Sequence, residues 1–425
     1  MHVNPSKNKH YRRNMKRVVI TGMGAITPVG NNIESFWNNL IAGTCGIDFI
    51  SAFSTDELPV KVAGEVKNFN PADHGMDAGS ARRSDRYAQF AMCAANQAVA
   101  DSDIQGKIDP ERFGVYVGSG IGGMHTFVNE TEKLLSKGPK MISPLFVPMM
   151  ISNIASGNIA IAHNAQGPCL PVVTACATGS HAIGEAYRCI AGGFADAIIA
   201  GGAEASIHPL AVGGFMNSKA LSRSEDPKTA SIPFDINRSG FVMAEGAGVI
   251  VLEEYEHAMA RGAKIYAEVC GYGNTCDAHH YTAPRPDGAC AARAIKQALT
   301  EAKFDAEKDV LHINAHGTST PLNDKSETMA FKLALGEEAA HKAHICSTKS
   351  MTGHMLGAAG AVEIIAAALA LKNGIVPPTI GLQNPDPECD LNYTPNQAQK
   401  ADLSLAISTS LGFGGHNACV AMRKI

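Results

Sequence analysis

Four strand ends in the first half of this chain are answered, in the same order, by four in the second. VVITGMG at 18–24 pairs with AEVCGYG at 267–273, and VYVGSG at 115–120 pairs with LHINAH at 311–316. Thr174-x-x-x-Thr178-Gly179 is matched by Thr348-x-x-x-Thr352-Gly353, and AIIAGG at 197–202 by LAISTSLG at 405–412. A chain of 425 residues with 42 glycines and this self-similarity uses one folding plan twice. The halves divide near Ala263, into 16–263 and 264–425, and the longer first half carries insertions around 121–165 and 203–240. Each half alternates strands with helices, and the helix over 360–371 is apolar nearly all round, which places it in an interior. The expected architecture is an α/β/α/β/α sandwich. Two pseudo-equivalent sheets enclose a central helix layer, and strand ends of both halves converge on one site.

The stretch TACATGSHAIG at 174–184 holds the one cysteine placed to react. Pro171, Val172, Val173 and Thr174 read as a short strand, while Ile183, Ala186, Tyr187 and Ile190 recur at helical spacing. Cys176 therefore falls on the turn from strand into helix. Main-chain N–H groups and the helix dipole favour a negative charge there, so its thiol pKa is expected to fall. Ala175 and Ala177 leave room for a substrate.

Composition excludes several functions. A net charge of -4 gives no general reason to bind nucleic acid or an anionic membrane. Eleven cysteines without C-x-x-C spacing suggest neither zinc nor a dithiol centre, and they suit a reducing, cytoplasmic compartment. No signal-peptide pattern is present, and no apolar run reads as long enough to span a bilayer. Residues 1–15, with Lys7, Lys9, Arg12 and Arg13 and no acid, are expected to be a disordered basic extension.

Three further stretches carry groups that a thiolate could use. NAHGTSTP at 314–321 places His316 just past a strand, with the Thr318 and Thr320 hydroxyls behind it. STKSMTGH at 347–354 puts Lys349 at a strand end and His354 at a helix start. GFGG at 412–415 can bring main-chain N–H groups close to a ligand. In the repeat as aligned above, the turns of Cys176 and His354 are symmetry mates, and one cleft could collect all of these groups.

With these residues in view, the chain resembles the β-ketoacyl-[acyl carrier protein] synthases of the thiolase fold, most of all the type II condensing enzymes of bacterial fatty acid elongation. The resemblance covers 16–425 and rests on TAC at 174–176, NAHGTSTPLND from Asn314, STKSMTGHMLGAAGAVE from Ser347 and GFGGHN from Gly412. It implies a thiolase-like five-layered sandwich and a decarboxylative Claisen condensation with malonyl-[acyl carrier protein]. By the resemblance Cys176 is the acylated nucleophile, and His316 and His354 handle the malonyl thioester. Lys349 and Glu363 form an ordering ion pair, Thr318 and Thr320 contact the phosphopantetheine arm, and Phe413 is a gate. Ile121 lines the acyl pocket, Phe146 reaches across from a second subunit of a homodimer, and Arg82 and Arg83 dock the acidic carrier protein. Those two arginines read as standing at a helix start, where cations are locally unfavourable. The resemblance calls for no metal and no resident cofactor, the phosphopantetheine arriving on the carrier.

Physical reasoning supports these roles. A thiolate accepts an acyl group without a strong base, and its thioester stays activated for attack by carbon. Decarboxylation leaves an enolate whose oxygen needs N–H donors, which two histidines can supply. Main-chain N–H groups of Cys176 and Phe413 could hold the tetrahedral oxyanion.

A polyketide-type ketosynthase of the same fold is the nearest alternative. A non-catalytic partner subunit would lack the nucleophile, and a degradative thiolase would need a second cysteine in the GFGGHN loop. The ketoacyl-synthase III subgroup carries asparagine at the position of His354. A nicotinamide-binding reading of Gly22-x-Gly24 lacks the third glycine and the acid that such a fingerprint requires.

Overall fold

The computed structural model describes residues 15–425, so the basic residues Lys7, Lys9, Arg12 and Arg13 lie outside the described residues. Nine strands form one mixed sheet: β1 (Val18–Ile26), β2 (Phe113–Gly118), β3 (Ala197–Glu204), β4 (Gly246–Glu254), β5 (Ala267–Cys276), β6 (Leu311–Asn314), β7 (His344–Cys346), β8 (Leu405–Gly412) and β9 (His416–Arg423). Their spatial order is β2-β3-β4-β1-β5-β9-β8-β6-β7. Counted outward from the middle, β1, β4, β3, β2 mirrors β5, β9, β8, β6. Pairing senses agree too: the inner two pairings of each half are antiparallel and the next is parallel. The halves join where Val18, Val19 and Ile20 pair with Val269, Glu268 and Ala267.

Six helices complete the layers: α1 (Arg86–Ser102), α2 (Ile154–His163), α3 (Thr178–Ala191), α4 (Ala289–Glu301), α5 (Pro321–Leu335) and α6 (Ala359–Asn373). Helices α1 and α2 pack outside the first half-sheet, α4 and α5 outside the second, and α3 with α6 lie between them. Three large apolar clusters fill the spaces so formed. The layers are those of the expected five-layered sandwich, but its two sheets are the halves of one continuous sheet, because β1 and β5 pair where the halves meet. Helix α6 is buried from Ala359 through Leu371, as its all-round apolar sequence requires. It also corrects one expectation: Leu356–Asn373 is long and apolar enough to span a bilayer, and 89% of that window is buried inside the molecule.

Close approach explains the glycines of the repeat. A Cβ on Gly22 or Gly24 would lie 2.1 or 2.0 Å from the carbonyls of Ala98 and Ala94 in α1. On Gly271 or Gly273 it would lie 2.1 or 1.8 Å from those of Ala298 and Ala294 in α4. Both G-x-G pairs therefore seat an outer helix on an inner strand, and neither opens a phosphate-binding turn. The two central helices cross the same way, with a Cβ on Gly179 meeting the Ala361 nitrogen at 2.7 Å.

One match in the repeat was misaligned. The structural counterpart of the turn Ala175–Ala177, which leads into α3, is the turn Leu356–Ala358, which leads into α6. Both are single 3₁₀ turns, and both hold a non-glycine residue at positive φ, Ala175 at 50° and Leu356 at 46°. Eleven residues separate Thr348 from Ala359, where four separate Thr174 from Thr178. The mate of Cys176 is thus Gly357 rather than a residue near His354. The segment at 171–174 is not a strand either: it forms no bridge, and the nearest one, parallel to Val115, is at Cys169.

Candidate active site

Cys176 sits in the middle of its 3₁₀ turn with 8% of its surface exposed. Two side chains strap the turn from behind. The Thr174 N–H donates to Thr178 Oγ1 at 2.9 Å, and Thr174 Oγ1 lies 2.7 Å from His181 Nδ1. Phe241, Met243 and Leu356 pack against the cysteine. That apolar shell reverses an expectation, because burial pushes the thiol up to about 12. The Lys349 charge and the Phe413 N–H pull the other way and do not prevail. The resting group is therefore a thiol.

The second half brings three polar groups to this turn. His316 follows β6, and its main-chain N–H donates to Glu327 Oε1 at 2.7 Å. The Gly317 N–H donates to the other oxygen of Glu327 at 2.8 Å. Thr409 in β8 donates to Glu327 as well, at 2.7 Å, so one buried carboxylate fixes the loop. Lys349 opens the short helix Lys349–Thr352. Its Nζ donates to the His316 carbonyl at 2.6 Å and to Glu363 Oε1, and lies 3.3 Å from His316 Nδ1. An ammonium only donates, so His316 Nδ1 must accept and its ring proton resides on Nε2.

His354 lies between that short helix and the Leu356–Ala358 turn. Its N–H donates to the Val242 carbonyl at 2.7 Å and its own carbonyl accepts from Ala244 at 2.9 Å, tying it to the strand-like segment before β4. The His316 and His354 rings meet edge to face, with centroids 5.3 Å apart and planes at 87°. Burial holds both imidazoles well below their usual range, and the nearby Lys349 charge adds to this. Both are neutral at physiological pH. Burial pushes Glu363 up to about 7 against the pull of Lys349.

These groups open on one cavity of about 360 Å³, lined by Cys176, His316, His354, Phe413, Thr318 and Thr320 among others. Thr318 and Thr320 face each other, their hydroxyls 2.9 Å apart. Phe413 follows β8 and packs its ring on Phe215 at 6.1 Å. The Phe413 N–H reaches the Cys176 thiol, beside the atom that a ligand carbonyl must approach. Lys349 and Glu363 lie buried behind the histidines.

Four named residues stand apart from this cavity. Ile121 is 38% exposed, on the loop after β2, and Phe146 opens the helix Phe146–Met150, its ring 6.5 Å from that of Phe127. Arg82 ends the helix Ala78–Arg82 and Arg83 caps it, Asp77 being the N-cap. They stand at a helix C-terminus, where cations are favourable, so the argument from a misplaced charge fails. Both are exposed, and neither forms an ion pair among the described residues.

Sequence reasoning missed Glu327, Thr178 and Thr409. For Glu327 a signal existed. The opening turns of α5 run Asn323, Asp324, Ser326, Glu327 and Thr328, all buried, and so many polar side chains are buried only where partners await them.

Comparison with known proteins bears on this geometry. The family model described as "Beta-ketoacyl synthase, N-terminal domain" matches residues 15–258, and that described as "Beta-ketoacyl synthase, C-terminal domain" matches 266–383. The 3-oxoacyl-[acyl-carrier-protein] synthase 2 of Staphylococcus aureus strain COL is 50% identical over 410 residues, covering 96% of this chain and 98% of the relative. The protein of the same name from Synechocystis is 50% identical over 411 residues, again covering 96% and 98%. Among solved structures, a beta-ketoacyl synthase from Burkholderia phymatum superposes with a TM-score of 0.89 at 35% identity, covering 97% of this chain and 100% of that one. A type II polyketide ketosynthase in complex with its acyl-carrier protein gives 0.88 at 36%, with the same coverage.

Proposed function

Because the chain belongs to the beta-ketoacyl synthase family, we infer that it elongates fatty acids by decarboxylative condensation of an acyl thioester with malonyl-[acyl carrier protein]. The observation that carries the residue assignments is the pair of neutral, crossed imidazoles beside a buried cysteine. In the first step Cys176 Sγ attacks the acyl carbonyl, and the Cys176 and Phe413 N–H groups receive the oxyanion. The carrier thiolate leaves and takes up the proton that the Cys176 thiol gives up, so acyl transfer is proton-neutral overall.

In the second step the malonyl carboxylate departs as carbon dioxide, and its electron pair becomes an enolate on the thioester oxygen. Neutral His316, its proton on Nε2, and neutral His354 donate to that oxygen. A charged imidazolium would instead stabilise the malonyl carboxylate and oppose its loss. The carbanion attacks the acyl carbonyl on Cys176, the Cys176 thiolate is expelled and takes up one proton from solvent to restore the resting thiol, and a 3-oxoacyl thioester is released on the carrier. Burial, with the Lys349 charge adding to it, keeps both rings neutral, and Glu363 compensates that charge. Every step draws on side chains and main chain, without a resident cofactor.

Identity of 50% to the fatty acid synthases against 36% to the polyketide ketosynthase favours fatty acid elongation over polyketide assembly. Intact-mass measurement after incubation with acyl-[acyl carrier protein] tests the reading. One acyl increment on wild type and none on Cys176→Ala is expected; acylation of the alanine variant would overturn it.

The acyl carrier protein is the proposed partner, and the unpaired Arg82 and Arg83 are the proposed docking cations. Charge reversal at both should raise KM for carrier-bound substrate most at low salt, and an unchanged KM would exclude them. A second copy of the chain is the proposed cover for Phe127, Leu135, Met141, Val147 and Leu170, large apolar side chains exposed on the inserted segment and after it. Under this reading Phe146 and Ile121 meet at the dimer interface and line the acyl pocket. Sedimentation at the mass of a single chain would overturn it. All eleven cysteines are unpaired, which fits a cytoplasmic setting.

A further inference from the structure

One buried carboxylate has no part in the chemistry above and yet binds both the loop after β2 and the Leu356–Ala358 turn. Glu204, at the end of β3, is fully buried and accepts five hydrogen bonds. Oε2 accepts from the N–H of Gly120 at 2.9 Å and of Gly357 at 3.1 Å. Oε1 accepts from the Ser119 hydroxyl at 2.9 Å, the Ile121 N–H at 3.3 Å and the Ser206 hydroxyl at 3.3 Å. Ser119 also accepts the Gly122 N–H at 3.0 Å, so the loop is held at four consecutive residues.

The two oxygens differ in what they can tolerate. Both partners of Oε2 are main-chain N–H groups, which cannot turn to accept. Two of the three partners of Oε1 are hydroxyls, which can. Gly357 leaves no room for an alternative, since a Cβ there would lie 2.5 Å from the Gly120 nitrogen and 2.9 Å from Glu204 Oε2. The carboxylate thus occupies, beside the second-half turn, the space that a side chain at the counterpart of Cys176 would need.

We propose that Glu204 is a positioning residue for chain-length selection: it holds Gly120 and Ile121 against the Gly357 turn, and so fixes where the Ile121 side chain stands. This rests on the reading that Ile121 lines the acyl pocket. A rigid Ile121 meets every acyl chain at one place, which favours the length that fits; a released Ile121 yields to longer chains and packs worse on short ones.

Glu204→Gln separates the two halves of this role. The amide nitrogen settles at the Oε1 position, where both hydroxyls can turn to accept it, and the Gly120 and Gly357 bonds survive while the Ile121 N–H is released. Rates of Cys176 acylation are measured with hexadecanoyl and hexanoyl carrier protein, alongside alkylation of Cys176 by iodoacetamide. The long-to-short ratio should rise about tenfold, the size of one hydrogen bond to a charged acceptor, while alkylation is unchanged. A ratio that stays level or falls overturns the proposal. Ser119→Ala, which removes one donor from Oε1 and leaves the carboxylate in place, should move the ratio in the same direction by less, and it decides the matter if the glutamine variant does not fold. Ile121→Phe in the same assay keeps the two readings apart. If it penalises long chains and Glu204→Gln leaves the ratio alone, the pocket stands and the role of Glu204 falls; if it penalises all lengths equally, the pocket reading itself falls.

Discussion

The turn at Ala175–Ala177 and the turn at Leu356–Ala358 are the same piece of backbone used for different ends. Each is one 3₁₀ turn with a positive-φ residue, and each feeds a central helix. The first presents a thiol to the cavity. The second has glycine at the equivalent position, its N–H given to Glu204. What the second half adds comes just upstream, in residues 347–355 between β7 and its turn, which hold Lys349 and His354. A duplicated scaffold thus fixes where a nucleophile and its electrostatic partners face each other. The chemistry resides in the places where the copies differ.

The sharpest way to break this comparison is to exchange the one residue that distinguishes the turns. Cys176→Ala should abolish acylation, and adding Gly357→Cys should not restore it, because the new side chain collides with Gly120 and Glu204. Recovery of an acyl increment in the double variant, read by intact mass, would mean that the two turns are interchangeable. Next in size is the division of labour between halves. His316→Ala or His354→Ala should still acquire an acyl group at Cys176, while malonyl decarboxylation falls by ~10²–10³, the usual effect of one oxyanion donor. Equal loss of both steps, in radiolabelled acylation and carbon dioxide release assays, would deny that division.

Lys349 allows a sharper test through pH. Burial and, beside it, the Lys349 charge depress both imidazoles, so protonation of His316 and His354 occurs only well below the ordinary histidine range. Malonyl decarboxylation should therefore be level through neutrality and fall only in acid. Lys349→Met removes the depressing charge, the histidine pKa values rise, and the acid limb should move to higher pH. Burial also acts on both rings, and its contribution remains. A limb that stays in place, measured as carbon dioxide release between about pH 4 and 8 around the ordinary imidazole value, would place the cause in burial alone.

How much of this was legible beforehand follows from what each signal depends on. The strand ends and their G-x-G pairs were readable because Gly22, Gly24, Gly271 and Gly273 answer to a local demand, the passage of a helix carbonyl. Thr-x-x-x-Thr-Gly misled because the same letters do opposite things: Gly179 lies inside α3, while Gly353, at φ 70°, ends the helix Lys349–Thr352. The thiol pKa was misjudged because position along a helix is visible in sequence and burial by Phe241, Met243 and Leu356 is not. Glu204 and Glu327 act across sequence distances of 82 to 153 residues or through main-chain atoms, which carry no letter of their own. Arg82 and Arg83 were placed at the wrong end of a helix only five residues long, where boundaries are hardest to read.

The smallest expected effect tests where the halves should be equal. Gly22 and Gly271 occupy matching sites in β1 and β5, and a Cβ at either would stand 2.1 Å from a helix carbonyl, that of Ala98 or of Ala298. Neither acceptor is a side chain that could swing away, so α1 or α4 must shift bodily to admit a methyl group. Overpacking of this kind costs ~1–3 kcal/mol, and the same backbone obstacle on both sides implies the same cost. Gly22→Ala and Gly271→Ala should thus lower the midpoint of guanidinium unfolding by similar amounts, with Cys176 acylation per folded molecule retained, since neither strand face reaches the cavity. The outer layers need not respond alike, because α4 is backed by α5 while α1 is backed by α2. A large effect on one side with tolerance on the other would show that the two outer layers differ in rigidity, and that the symmetry of the sheet stops at its own faces.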